Sequence, residues 1–288
     1  MSDFIPWSSQ PLEEWADKYA QGELIDLDGH MTHYVEKGEG EPVILIHGFN
    51  YDSCMWADNI DALAEEFKVY ALDLWGFGYS TREPLDYGYQ LYADQLLKFM
   101  DSLGIQSASL VGQSMGGGTA ILFCTQHRDM VNKLLLVDPG GLPDPTPLAG
   151  KIYRLPKVGE FLGRLKTDAL DRKVLELWIH NKDLLTDDYY ENVSRYKKVE
   201  GTGAAALAIL RKDFFGNLSD EIHTLAQMDV PILIVWGRQD KGIPVSVGER
   251  MHNIYKGSRM EIIDNVGHVP NYEQSGTFNR MAVDFLSE

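Results

Sequence analysis

Cysteine is nearly absent: the 288 residues contain two, Cys54 and Cys124. Their spacing offers no metal-ligand pair, and both fall in segments that read as helical. They are expected as small core residues of a protein kept in a reducing compartment. Long apolar runs are missing too. No stretch of 18 apolar residues occurs, so no segment reads as membrane-spanning. The first ten residues lack the basic-then-apolar order of a secretory signal. Together these absences give a cytoplasmic expectation. Positive charge is scarce, with 26 Lys and Arg against 43 Asp and Glu, a formal net charge of −17. A field of that sign disfavours nucleic acid and anionic membrane surfaces as partners. It favours a neutral or cationic small-molecule substrate over a polyanionic one, unless a local pocket overrides it. Internal repeats and low-complexity tracts are also lacking.

What is present is an ordinary globular composition, 44% hydrophobic and 24% charged, long enough for one large α/β domain with an inserted subdomain. Two β-prone runs, 23–27 and 31–35, flank Asp28-Gly29-His30 and read as an antiparallel hairpin. Further runs follow at 42–46, 69–73, 108–111, 133–137, 231–236 and 260–263. Most are continuous in Val, Ile and Leu rather than alternating, as parallel strands buried on both faces require. Helical patterns fill the gaps near 55–66, 88–103, 115–127, 244–255 and 274–286. An eight-stranded, mostly parallel sheet flanked by helices is therefore expected. One interval breaks the alternation. After Asp138 a Pro- and Gly-rich stretch begins, and the next strand waits until residue 231, too long for one crossover helix. Helix-like segments near 157–166, 168–181, 187–199 and 203–213 divide the chain into a core, 1–138 with 218–288, and a helical cap, 139–217. The cap is expected over the C-terminal strand ends, where open α/β sheets bind ligands.

The most informative motif is Gly112-Gln113-Ser114-Met115-Gly116, between the run 108–111 and the apolar helix 115–127. A strand-to-helix turn this tight strains its central residue and needs glycine on either side, where a Cβ would strike the neighbouring strand and helix. It presents a serine hydroxyl at its tip, the posture of a nucleophile. Such a serine needs a base, an acid and oxyanion donors. Partners on later strand-end loops are Asp240, in Gly237-Arg238-Gln239-Asp240, and His268, after 260–263. Of the eight histidines, only His268 combines a strand-end position with chain order after the acid. Asp138 competes with Asp240 for the acid's place, and Asp264 does so more weakly. Backbone amides of Met115 and Phe49 are the expected oxyanion donors. Gly48 permits the close approach of that loop, and His47 is expected to support it. Asp73 reads as a structural acceptor for amides of its own loop. Trp75, Gln113, Trp178, Trp236 and Val269 are candidate pocket residues. The chemistry requires no metal and no organic cofactor.

His47-Gly48-Phe49, the stretch from Asp73 to Ser80, the 112–117 elbow, 237–240 and Gly267-His268 occur in the order of the α/β-hydrolase superfamily. Nearly the whole chain resembles its branch with a helical cap between the sixth and seventh strands. The resemblance implies a serine hydrolase. Ser114 argues against the dehalogenases and epoxide hydrolases of that branch, which use an aspartate nucleophile, and Met115 against prolyl iminopeptidases, which carry Trp after the nucleophile. Carboxylesterases and monoacylglycerol-lipase-like enzymes fit. The carbon–carbon bond hydrolases of aromatic ring-fission products share the Ser-Met-Gly-Gly elbow. They differ in having Asn before the serine, Trp after the histidine and a cap Arg, where this chain has Gln113, Val269 and the candidates Arg154, Arg164 and Arg172. A cofactor-free perhydrolase and a non-enzymatic ligand receptor share the same constellation. The expectation is a carboxylesterase acting through an acyl-enzyme, with the carbon–carbon hydrolase and the receptor as alternatives.

Overall fold

A computed structural model describes residues 5–143, 148–212 and 218–288. Strands β1 (Glu23–Leu27), β2 (His30–Lys37), β3 (Pro42–Ile46), β4 (Lys68–Leu72), β5 (Ala108–Gln113), β6 (Val131–Val137), β7 (Ile232–Gly237) and β8 (Arg259–Ile263) form one sheet in the order β1-β2-β4-β3-β5-β6-β7-β8. β2 runs antiparallel to both neighbours; every pairing from β4 to β8 is parallel. The hairpin between β1 and β2 closes on Asp28 and Gly29, both at positive φ (57° and 90°), the paired left-handed conformation of a tight two-residue turn.

Thirteen helices are described: α1 (Leu12–Tyr19), α2 (Ala57–Leu63), α3 (Tyr89–Leu103), α4 (Met115–Gln126), α5 (Leu148–Tyr153), α6 (Val158–Arg164), α7 (Asp168–Trp178), α8 (Asp187–Ser194), α9 (Thr202–Arg211), α10 (Ser219–Leu225), α11 (Val245–Ile254), α12 (Pro270–Glu273) and α13 (Ser275–Ser287). Alternation along the strands divides the core in two. Ile44, Leu110 and Leu134 pack with Leu96 and Phe99 of α3, Ile121 of α4 and Ile222 of α10. Val43, Leu45, Val111 and Leu135 pack with Ile60 and Leu63 of α2 and Phe278 of α13. With both faces covered, all six residues of β5 and of β7 are buried, which explains why those runs lack polar alternation.

Helices α5 to α10 lie between β6 and β7, where the sequence breaks its rhythm. Residues 144–147 and 213–217, within the stretch read as the cap, lie outside the described residues. The helical stretch near 55–66 is shorter than its pattern: a single 3₁₀ turn, Ser53–Trp56, precedes α2. That turn corrects one expectation. Cys124 is buried but Cys54 is exposed. Ser53, Met55 and Trp56 take the buried positions of the turn, leaving Cys54 on its outer side. The short helices α1, α5, α10 and α12 were beyond the sequence pattern, each spanning at most eight residues.

Candidate active site

The loops at one sheet edge are built around strained backbone. Among the described residues seven non-glycine residues have positive φ, and four sit just past the C-terminal ends of core strands: Asn50 after β3, Ser114 after β5, Asp138 after β6 and Asn265 after β8. Such conformations cost of order 1–3 kcal/mol each and persist where the surroundings enforce them. Ser114 is the sharpest case, with φ 50° and ψ −111°, held between β5 and α4. A Cβ on Gly112 would lie 2.4 Å from the Gly116 carbonyl oxygen, and one on Gly116 would lie 2.1 Å from the Ile46 oxygen. The glycines of the motif are therefore demanded by contact. A Cβ on Gly48 would lie 3.3 Å from Ser114 Cβ, so the loop after β3 passes directly over the serine.

His268 follows β8 and is buried. Its Nδ1 is 2.6 Å from Asp240 Oδ2, while Asp240 Oδ1 accepts from the amides of Gly242 (2.7 Å) and Ile243 (3.0 Å). The carboxylate is thus fixed by its own loop and presents its second oxygen to the imidazole. The His268 loop is tied on three further sides. Its N–H donates to the Trp178 carbonyl (2.7 Å), and its carbonyl accepts from Gln113 Nε2 (2.7 Å). Glu273 Oε1 accepts from Gly267 N–H (2.6 Å), and its Oε2 from the His180 and Asn181 amides (2.8 Å each). The Trp178 ring lies 4.9 Å from the imidazole, centroid to centroid.

Asp138 stands beside this pair. One oxygen accepts from Gly237 N–H (3.0 Å), and Asp138, Asp240 and His268 each offer an atom within 4.8 Å of the other two. Burial, and then the neighbouring Asp240 charge, raise the Asp138 carboxyl well above the usual carboxylate range. The acid in hydrogen-bonding contact with the imidazole is Asp240. His47 supports the loop after β3: Nδ1 donates to the Gly48 carbonyl (2.8 Å) and Nε2 accepts from Leu74 N–H (2.9 Å). Burial lowers its pKa to about 4, so at neutral pH it is uncharged in this tautomer. Asp73 accepts from the Ser53 amide (2.7 Å), the Tyr79 amide (2.8 Å) and His33 Nδ1 (2.7 Å), joining its own loop to the hairpin.

Ser114 and His268 open onto one cavity of about 340 Å³. Of the sequence candidates, Phe49, Gln113, Arg154 and Trp178 line it with them. Met115, Trp75, Trp236 and Val269 are buried outside its lining. Trp75 Nε1 donates to Thr32 Oγ1 (2.8 Å) and Trp236 Nε1 to the Ile243 carbonyl (3.1 Å), so both rings are spent on packing. Val269 joins the core beneath α13. The lining residues that sequence reasoning did not single out are mostly on the inserted helices: Asp171, Val174 and Leu177 of α7, Lys197 after α8, and Leu210 of α9. Lys197 Nζ pairs with Asp171 Oδ2 at 2.9 Å, both essentially buried. Arg154, Lys197 and Lys241 against Asp171 make the lining cationic inside a chain of net charge −17. No sequence periodicity marks these residues, since a pocket and a core use the same apolar stripe.

A family model described as the alpha/beta hydrolase fold matches residues 41–275. A 2-hydroxy-6-oxo-6-phenylhexa-2,4-dienoate hydrolase from Comamonas testosteroni is 28% identical, over 94% of this chain and 96% of its own length. A dihydrolipoyllysine-residue acetyltransferase component of an acetoin cleaving system, from Cupriavidus necator, is 29% identical over 98% of this chain and 74% of its own. Among solved structures, a meta-cleavage product hydrolase from Pseudomonas fluorescens IP01, complexed with acetates, superposes with a TM-score of 0.80. It is 25% identical and covers 92% of this chain and 97% of its own.

Proposed function

The chain belongs to the α/β-hydrolase fold family, and from that premise we propose that it is a serine-dependent carboxylesterase working through an acyl-enzyme. The observation carrying this reading is the strained Ser114 and the Asp240-bound His268 on a single cavity. In the proposed reaction His268 Nε2 takes the hydroxyl proton as Ser114 Oγ attacks the ester carbonyl. Asp240 holds Nδ1–H, so that Nε2 is the free basic nitrogen, and stabilises the imidazolium that forms. The amides of Met115, at the start of α4, and Phe49 take the oxyanion. His268 then gives its proton to the leaving alcohol, and water, activated by the same imidazole, releases the acid. We read 139–217 as a cap over a core of 1–138 and 218–288. Among the described residues no helix is long and apolar enough to cross a membrane, and a cytoplasmic setting belongs to this same proposal. The cationic lining suits a small ester bearing a carboxylate on its acyl or alcohol portion.

A second reading, cleavage of a carbon–carbon bond in a ring-fission dienoate, is favoured by the names of the Comamonas and Pseudomonas relatives and by the same cationic lining. One experiment separates them: nitrophenyl esters of graded chain length, with and without a terminal carboxylate, run beside a ring-fission dienoate. Faster turnover of the carboxylate-bearing esters is expected, with Ser114→Ala and His268→Ala each lowering it at least ~10³-fold. Selective turnover of the dienoate would establish the second reading. Binding and phosphonate labelling of Ser114 without turnover of either would make the chain a receptor.

A further inference from the structure

The acid pair beside the imidazole has too few donors for both members to be carboxylates. Asp138 is fully buried, and no N–H or O–H donor among the described residues reaches its Oδ2. Its neighbour is the Asp240 carboxyl: one oxygen of each, with a ring nitrogen of His268, falls within 4.8 Å of the others. Two ionised carboxylates cannot share a dry site at this separation, so one holds a proton. Which one follows from counting donors. Asp240 receives three, from the Gly242 and Ile243 amides and His268 Nδ1. Asp138 receives one, from Gly237. Negative charge collects where the donors are.

We propose that Asp138 is a positioning residue: a neutral carboxylic acid that donates to Asp240 and thereby limits the basicity of His268. The other titratable groups facing it are Asp240 from the loop after β7, His268 from the loop after β8, and Glu273 from α12. Burial raises Asp138 in the same direction. As a fourth donor to Asp240, the Asp138 hydroxyl withdraws charge from the oxygen facing Nδ1–H. The imidazolium that forms is then held less tightly.

The proposal rests on the triad reading of Ser114, Asp240 and His268, but its test needs no substrate. The His268 imidazole is titrated by NMR in the full chain, assigned by the resonance lost in His268→Gln. Asp138→Ala removes the donor and is expected to raise the His268 midpoint by about one pH unit, tenfold in proton affinity. Asp138→Asn keeps a donor toward Asp240 and an acceptor for Gly237, and is expected to bring the midpoint back to the parent value. Equal midpoints in all three proteins, or equal shifts in both variants, would overturn the proposal. Should Asp138→Ala not fold, the near-isosteric Asp138→Asn gives an independent reading by infrared difference spectroscopy at pH 7. The carbonyl stretch of one protonated carboxylic acid is expected in the parent and lost in the variant. Asp52, raised to about 8 by burial and Asp73, contributes equally to both and cancels. No lost band would sink the idea. Failure of the triad reading registers separately, as undiminished turnover in Ser114→Ala.

Discussion

Gly116→Ala tests how tightly the elbow is built against β3. The added Cβ would lie 2.1 Å from the Ile46 oxygen, 2.6 Å from its carbon and 2.7 Å from the His47 oxygen, whereas ordinary contact begins near 3.4 Å. The shortfall is about 1.3 Å, and all three obstacles are backbone, so no side chain can rotate to relieve it. Either α4 or the end of β3 must move, at a cost of about 1–3 kcal/mol by the usual range for overpacked sites. The movement separates the two elements proposed to carry the oxyanion donors, Met115 on α4 and Phe49 past β3. Losing one such donor costs ~3 kcal/mol in the transition state, about a hundredfold in kcat. Urea unfolding followed by circular dichroism reads the first quantity, and nitrophenyl ester turnover the second. The matched control is Gly276→Ala, on the exposed first turn of α13, where a Cβ meets nothing within 4 Å. There, relief of glycine's helix penalty should stabilise the chain by about 0.5–1 kcal/mol with activity unchanged. A Gly116→Ala protein as stable as the parent and within twofold of its kcat would refute the close-approach reasoning.

Other outcomes follow from buried charges and from the histidine loop. Burial and the adjacent Asp73 raise Asp52 from 3.8 to about 8. Below about pH 4 both folded and unfolded chains hold this proton; from there to about pH 8 only the folded chain does, so this group makes stability fall as pH rises. Asp52→Asn should therefore have a higher Tm than the parent at pH 8, with the gap closing toward pH 4; a pH-independent gap would contradict this. Asp73, lowered to about 2 with His33 as its attractive partner despite burial, contributes the opposite slope in both proteins. Lys197→Met leaves Asp171 charged and unpaired in the interior and should cost about 3–5 kcal/mol in urea unfolding. Adding Asp171→Leu should recover most of it, and failure to do so would show that the pair is not the source. Gln113→Ala removes the 2.7 Å bond to the His268 carbonyl and should lower kcat/KM about tenfold, the equivalent of one ~1.4 kcal/mol hydrogen bond. A loss below twofold would mean that the Trp178 and Asp240 contacts hold the loop unaided.

The sheet was legible because its physics is local. Runs such as 42–46 and 231–236 are apolar at nearly every position, and only a strand covered on both faces needs that. The elbow was legible because Gly112 and Gly116 have no alternative where backbone approaches so closely. Ser114 and His268, distant in sequence, meet at one cavity because parallel strands deliver their loops to the same edge. Trp75 and Trp236 show the limit of this reasoning. A strand-end aromatic can face a pocket or the core, and the choice depends on Thr32 and on the Ile243 carbonyl, partners remote from any motif. The Lys197–Asp171 pair was equally hidden, since nothing local shows that residues 26 positions apart share a cavity wall.

The ties between the inserted helices and the histidine loop constrain the doorway. The segment leaving α7 supplies the Trp178 carbonyl to His268 N–H, and its His180 and Asn181 amides both hold Glu273. Slightly further on, the Leu184 carbonyl accepts from Tyr272 Oη at 2.6 Å. A molecule admitted by prising this corner open would break all four bonds and release the proposed general base as it arrived. Passage beside α5 and α6, where Ile152, Phe161 and Leu162 are exposed, would leave every one of them intact. Traffic on that side would let the proposed catalytic histidine stay seated while its guests come and go.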